Sequence, residues 1–187
     1  MTRIISGTAR GRNIKVPPED TRPTTDRARE GLFSSLQVRF GFEGETVLDL
    51  FAGSGALGLE AASRGAEEVT LVDNNRKAVE VIQSNAKIVG HPNVRVVQSH
   101  ASTFIAGAPR GHYSMVLADP PYSLSDDAVV EMLNALVPLL THDAVIVVER
   151  SSQSPETAWP EGFEPTNQKL KKRTYGLTRF DMAIWRG

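Results

Sequence analysis

The sequence predicts an α/β protein: a mostly parallel seven-stranded sheet, a C-terminal antiparallel hairpin at its edge and a small N-terminal β-hairpin extension. Three observations carry that reading. From Thr46 to Glu149, short apolar runs rich in Val, Leu and Ile alternate with longer segments of helical spacing. The runs are apolar at successive positions, as strands buried on both faces of a parallel sheet must be. The first run, Thr46-Val47-Leu48-Asp49-Leu50, breaks on Gly53-Ser54-Gly55 and restarts as a helix at Ala56. A strand that turns on glycines into a helix leaves backbone N–H groups facing a crevice at the strand's C-terminal end.

The elements follow in order. Residues 3–16 hold two short β-like stretches around Gly7-Thr8-Ala9-Arg10-Gly11, a hairpin or loop from which Arg10, Arg12 and Lys15 project. Pro17-Pro18 ends it, so residues 1–20 are expected as a basic extension and 21–187 as the main domain. Thr25 or Asp26 can cap a helix reaching about Phe40, with Ala28, Leu32, Phe33 and Leu36 on its apolar face. Strands are expected at 46–50, 69–73, 94–98, 114–119 and 144–149. Helices are expected at 56–65, closed by Gly65, and at 75–89, stopped by Gly90 and Pro92. A third spans 126–140, with Pro138 a local irregularity near its end. The segment around Phe104 and Ile105 has no assignment. After Arg150 the alternation stops, and 163–185 reads as two longer strands around Tyr175-Gly176. Trp159 and Trp185 read as packing residues. His91, His100, His112 and His142 sit in loop-like contexts without ligand spacing.

Composition narrows the function classes. The chain has 187 residues and no cysteine, which excludes disulfides and thiolate metal or redox sites. No stretch approaches the ~18 uninterrupted apolar residues of a membrane helix, and Met1–Gly7 lacks a signal-peptide core. A cytoplasmic protein with no membrane partner is expected. The net charge of −1 is unevenly placed: 1–29 and 169–187 are basic, and the middle is acidic. Basic ends suggest a polyanion grip built from both termini.

Gly53, Gly55 and Gly58 satisfy G-x-G-x-x-G, and Asp73 follows Gly55 by 18 residues at the end of the second strand. That alone permits a dinucleotide such as NAD, hence an oxidoreductase. Asp49 argues for a different ligand. A carboxylate inside the strand end repels a pyrophosphate and favours a cationic ligand, so S-adenosylmethionine suits the pattern better. Asp73 can then take both ribose hydroxyls.

Asp119-Pro120-Pro121-Tyr122 closes the fourth strand. Two prolines withhold N–H donors and leave carbonyls pointing outward as acceptors. With the Asp119 carboxylate they can accept both hydrogens of an exocyclic base amine, and Tyr122 offers a face for stacking. This is chemistry by positioning, with no metal required. An amine on an RNA base, on DNA adenine (N6) or on a protein glutamine would each fit such a site. A non-catalytic RNA-binding module would have no physical reason to keep Asp49, Asp73 and Asp119 together.

At these residues the chain resembles the Rossmann-like S-adenosylmethionine-dependent methyltransferases with a [D/N/S]-P-P-[Y/F/W] motif. Arg3-Ile4-Ile5-Ser6-Gly7, Gly11-Arg12, Arg22-Pro23-Thr24-Thr25-Asp26-Arg27, Leu48 to Gly55 and Asp119 to Tyr122 occur in the order seen in the RsmD family, bacterial 16S rRNA guanine-N2 methyltransferases. The resemblance implies methyl transfer to the N2 amine of guanine 966, in an assembled or nearly assembled small subunit, by a monomer, with S-adenosylhomocysteine as product. It implies Asp119, Pro120, Pro121 and Tyr122 as the catalytic set. Asp49, Gly53 and Gly55 would line the methionine end of the cofactor, and Ala52 and Ser54 would also bind the cofactor. Asp73 would bind the ribose and Asn74 would sit beside the adenine. Ala101 stands where relatives often place an acid, so a backbone contact is expected there. Thr24 and Thr25 would close over the cofactor. Arg3, Arg10, Arg12, Lys15 and Arg22 would hold RNA, with Lys169, Lys171, Lys172 and Arg173 a second candidate set.

Overall fold

Every central strand expected from the sequence forms, and these five strands lie parallel to one another. The computed structural model describes residues 1–18 and 24–187. A short hairpin, β1 (Thr2–Arg3) and β2 (Asn13–Ile14), is followed by helix α1 (Asp26–Arg39). Then come β3 (Thr46–Leu50), α2 (Ala56–Ser63), β4 (Glu68–Asp73), α3 (Arg76–Val89) and β5 (Val94–Gln98). The next elements are α4 (Ala101–Gly107), β6 (Tyr113–Ala118), α5 (Asp126–Leu136) and β7 (Leu140–Ser151). The chain closes with β8 (Phe163–Pro165), β9 (Thr174–Tyr175) and β10 (Thr178–Trp185).

The large sheet runs β5-β4-β3-β6-β7-β10-β8, with β9 also on β10. Strand order reverses between β3 and β6, so the connections leaving these two strands diverge and open a crevice at their C-terminal ends. Alternating side chains feed two cores. Val47, Leu71, Met115 and Val147 pack beneath α1, α2 and α3, whereas Leu48, Val72, Val116 and Ile146 pack beneath α4 and α5. None of the described helices is long and apolar enough to cross a membrane.

Three details differ from the sequence expectation. The unassigned segment is α4, a helix of two turns that buries Phe104 and Ile105. The helix expected to reach residue 140 stops at Leu136, and Val137–Leu139 tighten into a 3₁₀ turn. Pro138 has no N–H to continue the α-helical ladder, and β7 starts four residues before the expected strand. The C-terminal addition is antiparallel as expected, but its first strand is broken. Phe163–Pro165 and Thr174–Tyr175 pair separately with β10, with a 3₁₀ turn at Leu170–Lys172 between them. A buried network holds that edge together: Arg179 donates to Asp181 and to the Ser154 and Pro155 carbonyls. Trp159 and Trp185 pack on Phe163, as expected.

The N-terminal segment is docked on the sheet's helices. Ile4, Ala9 and Ile14 are fully buried in the same core as α1–α3. Glu60 of α2, also fully buried, accepts the Ile5 and Ser6 N–H groups at 2.9 and 3.0 Å. Ser63 accepts from Ala9 N and donates to the Ser6 carbonyl. Asn85 of α3 accepts from Lys15 N, and its amide donates to the carbonyls of Lys15 and of Ser54 in the glycine loop, all at 2.8 Å. A buried amide with three partners is a strong positional lock.

Gly7 makes this docking possible: its φ is +88°, and an added Cβ would lie 1.9 Å from the Ser63 carbonyl oxygen. Gly11 has φ +81° but open space around it. Gly7→Ala is therefore expected to cost roughly 1–3 kcal/mol and Gly11→Ala less, measured by urea denaturation. Limited proteolysis of Gly7→Ala should cut first within residues 1–18.

Candidate active site

The site is assembled at the ends of β3, β4 and β6. Leaving β3, the chain enters Phe51 with φ 59°, a left-handed conformation that an aromatic residue seldom adopts. Gly53 and Gly55 follow with φ 59° and 81°, where glycine carries no steric cost. Gly58 serves packing: a Cβ there would meet Leu71 at 2.8 Å and Asp49 at 3.0 Å. Its absence lets α2 sit against β3, and the Gly58 N–H donates to Asp49 Oδ2 at 2.8 Å.

Asp49 is 1% exposed, and its other oxygen, Oδ1, has no hydrogen-bond partner among the described residues. Burial raises its pKa to about 8 against the opposing pull of the Gly58 N–H, and the nearby Asp73 and Glu149 carboxylates push the same way as burial. A buried carboxylate with one oxygen tied and one left over is a receptor for a cation. The donor set fits the ammonium of an S-adenosylmethionine amino-acid end.

At the end of β4, Asp73 Oδ2 accepts from Gly53 N and Oδ1 from Asn75 N, both at 2.9 Å. These bonds hold the carboxylate at the crevice rim, and each oxygen keeps acceptor capacity for a hydroxyl. Asn74 meets His100 across the ends of β4 and β5, Nδ2 to Nδ1 at 3.1 Å. Asn75 caps α3 through Lys77 N and Ala78 N. Ala101 begins α4 and brings no acid to this wall.

At the end of β6, the Asp119 N–H donates to the Leu50 carbonyl at 3.2 Å and so fixes the tetrapeptide against β3. Pro120 is buried, Pro121 exposed and Tyr122 43% exposed at the rim. One expectation needs correction: the Pro121 carbonyl does not point out unpaired. It accepts from Leu124 N at 2.9 Å, because the chain turns there to enter α5.

Three cavities meet here, and Phe51 lines all of them. The largest, about 790 Å³, is walled by Asp73, Asn74, Ser99, His100 and Ala101 and runs on between α4 and α5. A small one, about 40 Å³, is lined by Thr24, Arg29, Asp49, Ala52, Gly53, Ser54 and Asp119. The third, about 550 Å³, lies between Pro17-Pro18 and Asp119 to Tyr122, with Gly53, Asp73 and Lys77 on its wall. Asp119 borders the second and third, so it stands between a compact polar recess and an open slot faced by an aromatic ring.

Not every expected residue reaches this crevice. Thr25 caps α1 through Ala28 N, while Thr24 donates to the buried Glu149 at 2.7 Å. Gly55 caps α2 and is buried in the turn. Arg12 donates to the Ile88 and Val89 carbonyls at 2.9 and 3.0 Å, so it caps the end of α3. Arg3, Arg10 and Lys15 are exposed, and Arg22 lies outside the described residues. Lys169, Lys171 and Lys172 are exposed, whereas Arg173 is held by Asp181 and Glu156. Sequence reasoning missed Phe51, Glu149 and Arg29. Arg29 had a readable signal: it precedes Leu32 and Phe33 by three and four residues, so it falls on the apolar stripe of α1.

The Asp49 carboxyl generates a pH prediction. Its folded pKa lies above its ordinary value of 3.8, so between about pH 4 and 8 the folded chain holds a proton that the unfolded chain releases. Its contribution to stability is therefore fullest near pH 4 and declines as pH rises to about 8, by at most ~1.4 kcal/mol per pH unit. Asp49→Asn removes this decline. The stability of that variant relative to the parent should grow across pH 4–8 in urea melts and level off above.

The chain matches the family model described as conserved hypothetical protein 95 over residues 2–184. YlbH of Bacillus subtilis strain 168 is 35% identical over 182 residues, 94% of this chain and 95% of that one. Ribosomal RNA small subunit methyltransferase D of Escherichia coli K12 is 37% identical over 171 residues, 90% of this chain and 84% of that one. The solved structure of the Escherichia coli protein yhhF has a TM-score of 0.81 at 31% identity, over 100% of this chain and 98% of that one. A likeness that runs from the docked N-terminal hairpin to the last strand means that this chain belongs to the RsmD family.

Proposed function

We propose that the chain methylates ribosomal RNA of the small subunit, transferring the methyl group of S-adenosylmethionine to the exocyclic N2 amine of guanine 966 in 16S rRNA. The observation that carries this reading is the placing of Asp119 between the recess that holds Asp49 and the slot that Tyr122 faces. Asp49 would hold the ammonium of the cofactor, Asp73 its ribose hydroxyls, and the wall of Asn74, Ser99 and Ala101 its adenine. Bound there, the sulfonium supplies an electrophilic methyl group.

The rest is positioning by the chain's own groups. Tyr122 stacks on the guanine, with Pro17 and Pro18 across the slot. The Asp119 carboxylate and the Pro120 carbonyl accept the two amine hydrogens and draw the nitrogen toward a pyramidal shape with its lone pair directed at the recess. Held in line, the two reactants need little further help. Asp119 would also take the proton that the nitrogen sheds as the new N–C bond forms. RNA phosphates would be gripped by Arg3, Arg10 and Lys15 on the docked hairpin. Arg12 serves the fold first.

The decisive experiment uses tritiated S-adenosylmethionine with small subunits and with naked 16S rRNA from a strain lacking this protein. Label on N2 of guanine 966 is expected. Label on adenine, or only on DNA or protein, would overturn the substrate assignment. Asp119→Ala should lower turnover by at least about a hundredfold while S-adenosylhomocysteine affinity stays within a few-fold.

RNA binding offers a separate check. Arg10→Ala and Lys15→Ala should each flatten the dependence of log K on log salt by about 0.7–1, one phosphate contact apiece. Arg12→Ala should chiefly lower the melting temperature, through the lost cap on α3.

A further inference from the structure

Arg29 is a buried cation with work left undone. It lies on the core side of α1 and its side chain is 0% exposed. Its Nη2 donates to the Arg3 carbonyl and, at 3.0 Å, to Asp26 Oδ1. Its Nε and Nη1 are buried and find no acceptor among the described residues. Leaving such donors unmet costs folding free energy, more for a charged group than for a neutral one, so native chains seldom tolerate it without a purpose.

The same recess holds the opposite orphan. Arg29 and Asp49 both line the cavity of about 40 Å³ at the glycine loop, and Asp49 Oδ1 is likewise without a partner among the described residues. Neither satisfies the other, since no ion pair joins them. A guanidinium and a carboxyl group on the wall of one small recess are met together by a group that carries a carboxylate and an ammonium on one carbon. An α-amino-acid head is such a group. Guanidinium nitrogens are strong charge-assisted donors to a carboxylate.

We propose that Arg29 holds the α-carboxylate of the cofactor's amino-acid end while Asp49 holds its ammonium. This rests on the S-adenosylmethionine reading above and adds to it a residue from α1, outside the glycine loop. Because Arg29 also grips the Arg3 carbonyl, the residue that holds the cofactor's head belongs equally to the anchorage of the N-terminal segment.

The test compares two ligands on one folded protein by calorimetric titration of the full chain. One is S-adenosylhomocysteine; the other is its decarboxylated analogue, which keeps the ammonium and lacks the carboxylate. The unmodified chain should prefer the first by roughly ten- to a hundredfold, the size of one charge-assisted contact. Arg29→Met should erase that preference by weakening S-adenosylhomocysteine alone, and Arg29→Lys should retain part of it. Arg29→Lys also gives the ratio should the Met variant fail to fold. If the variants weaken both ligands equally, or leave the preference intact, this assignment is overturned and the cofactor reading stands. If the unmodified chain binds neither ligand, the cofactor reading falls and takes the assignment with it.

Discussion

One carboxylate, Asp49, sets the terms for the ligand site. It is buried inside the end of β3 with a single backbone donor, the Gly58 N–H, and that bond exists because Gly58 lets α2 approach the strand. A carboxylate there is unfavourable for the empty protein, as its raised pKa records. A strand end whose carboxyl can ionise only against its own burial is the signature of a site shaped for a ligand rather than for stability.

The sheet topology turns that local constraint into a working crevice. Reversal of strand order between β3 and β6 brings Asp49 and Asp119 to neighbouring strand ends although seventy residues separate them in the chain. Phe51, held left-handed at the crossing, lines the recess, the large cavity and the outer slot alike. Backbone strain at such a crossing is tolerated because the surrounding hydrogen bonds, Ala52 N to the Val72 carbonyl and Gly53 N to Asp73, over-determine the turn.

Much of this was legible in the sequence, for identifiable reasons. The parallel strands were visible because each is apolar on both faces, and the glycine turn because positive φ has few other residues to serve it. Asp49, Asp73 and Asp119 could be read because a carboxylate at a strand end has no packing role to confuse it with. What stayed hidden depended on contacts distant in the chain. The basic hairpin read as a projecting loop because Glu60, Ser63 and Asn85, which hold it down, lie at least 54 residues along the chain from the groups they bind. Arg12 read as a phosphate ligand because its carbonyl partners on α3 leave no trace in local pattern. The broken strand before Tyr175 was missed because β-propensity there is overruled by the 3₁₀ turn at Leu170–Lys172.

The Asn85 lock has a consequence for how the molecule reaches this state. Its three bonds join a segment from the start of the chain to the glycine loop through a helix that follows both of them in the sequence. The N-terminal residues therefore cannot settle until α2 and α3 have formed and packed, so the earliest part of the chain is among the last to be ordered. Such long-range closure slows folding. It also means that the glycine loop gains its final support only when the whole α1–α3 face is complete, so a partly folded chain would lack a finished crevice.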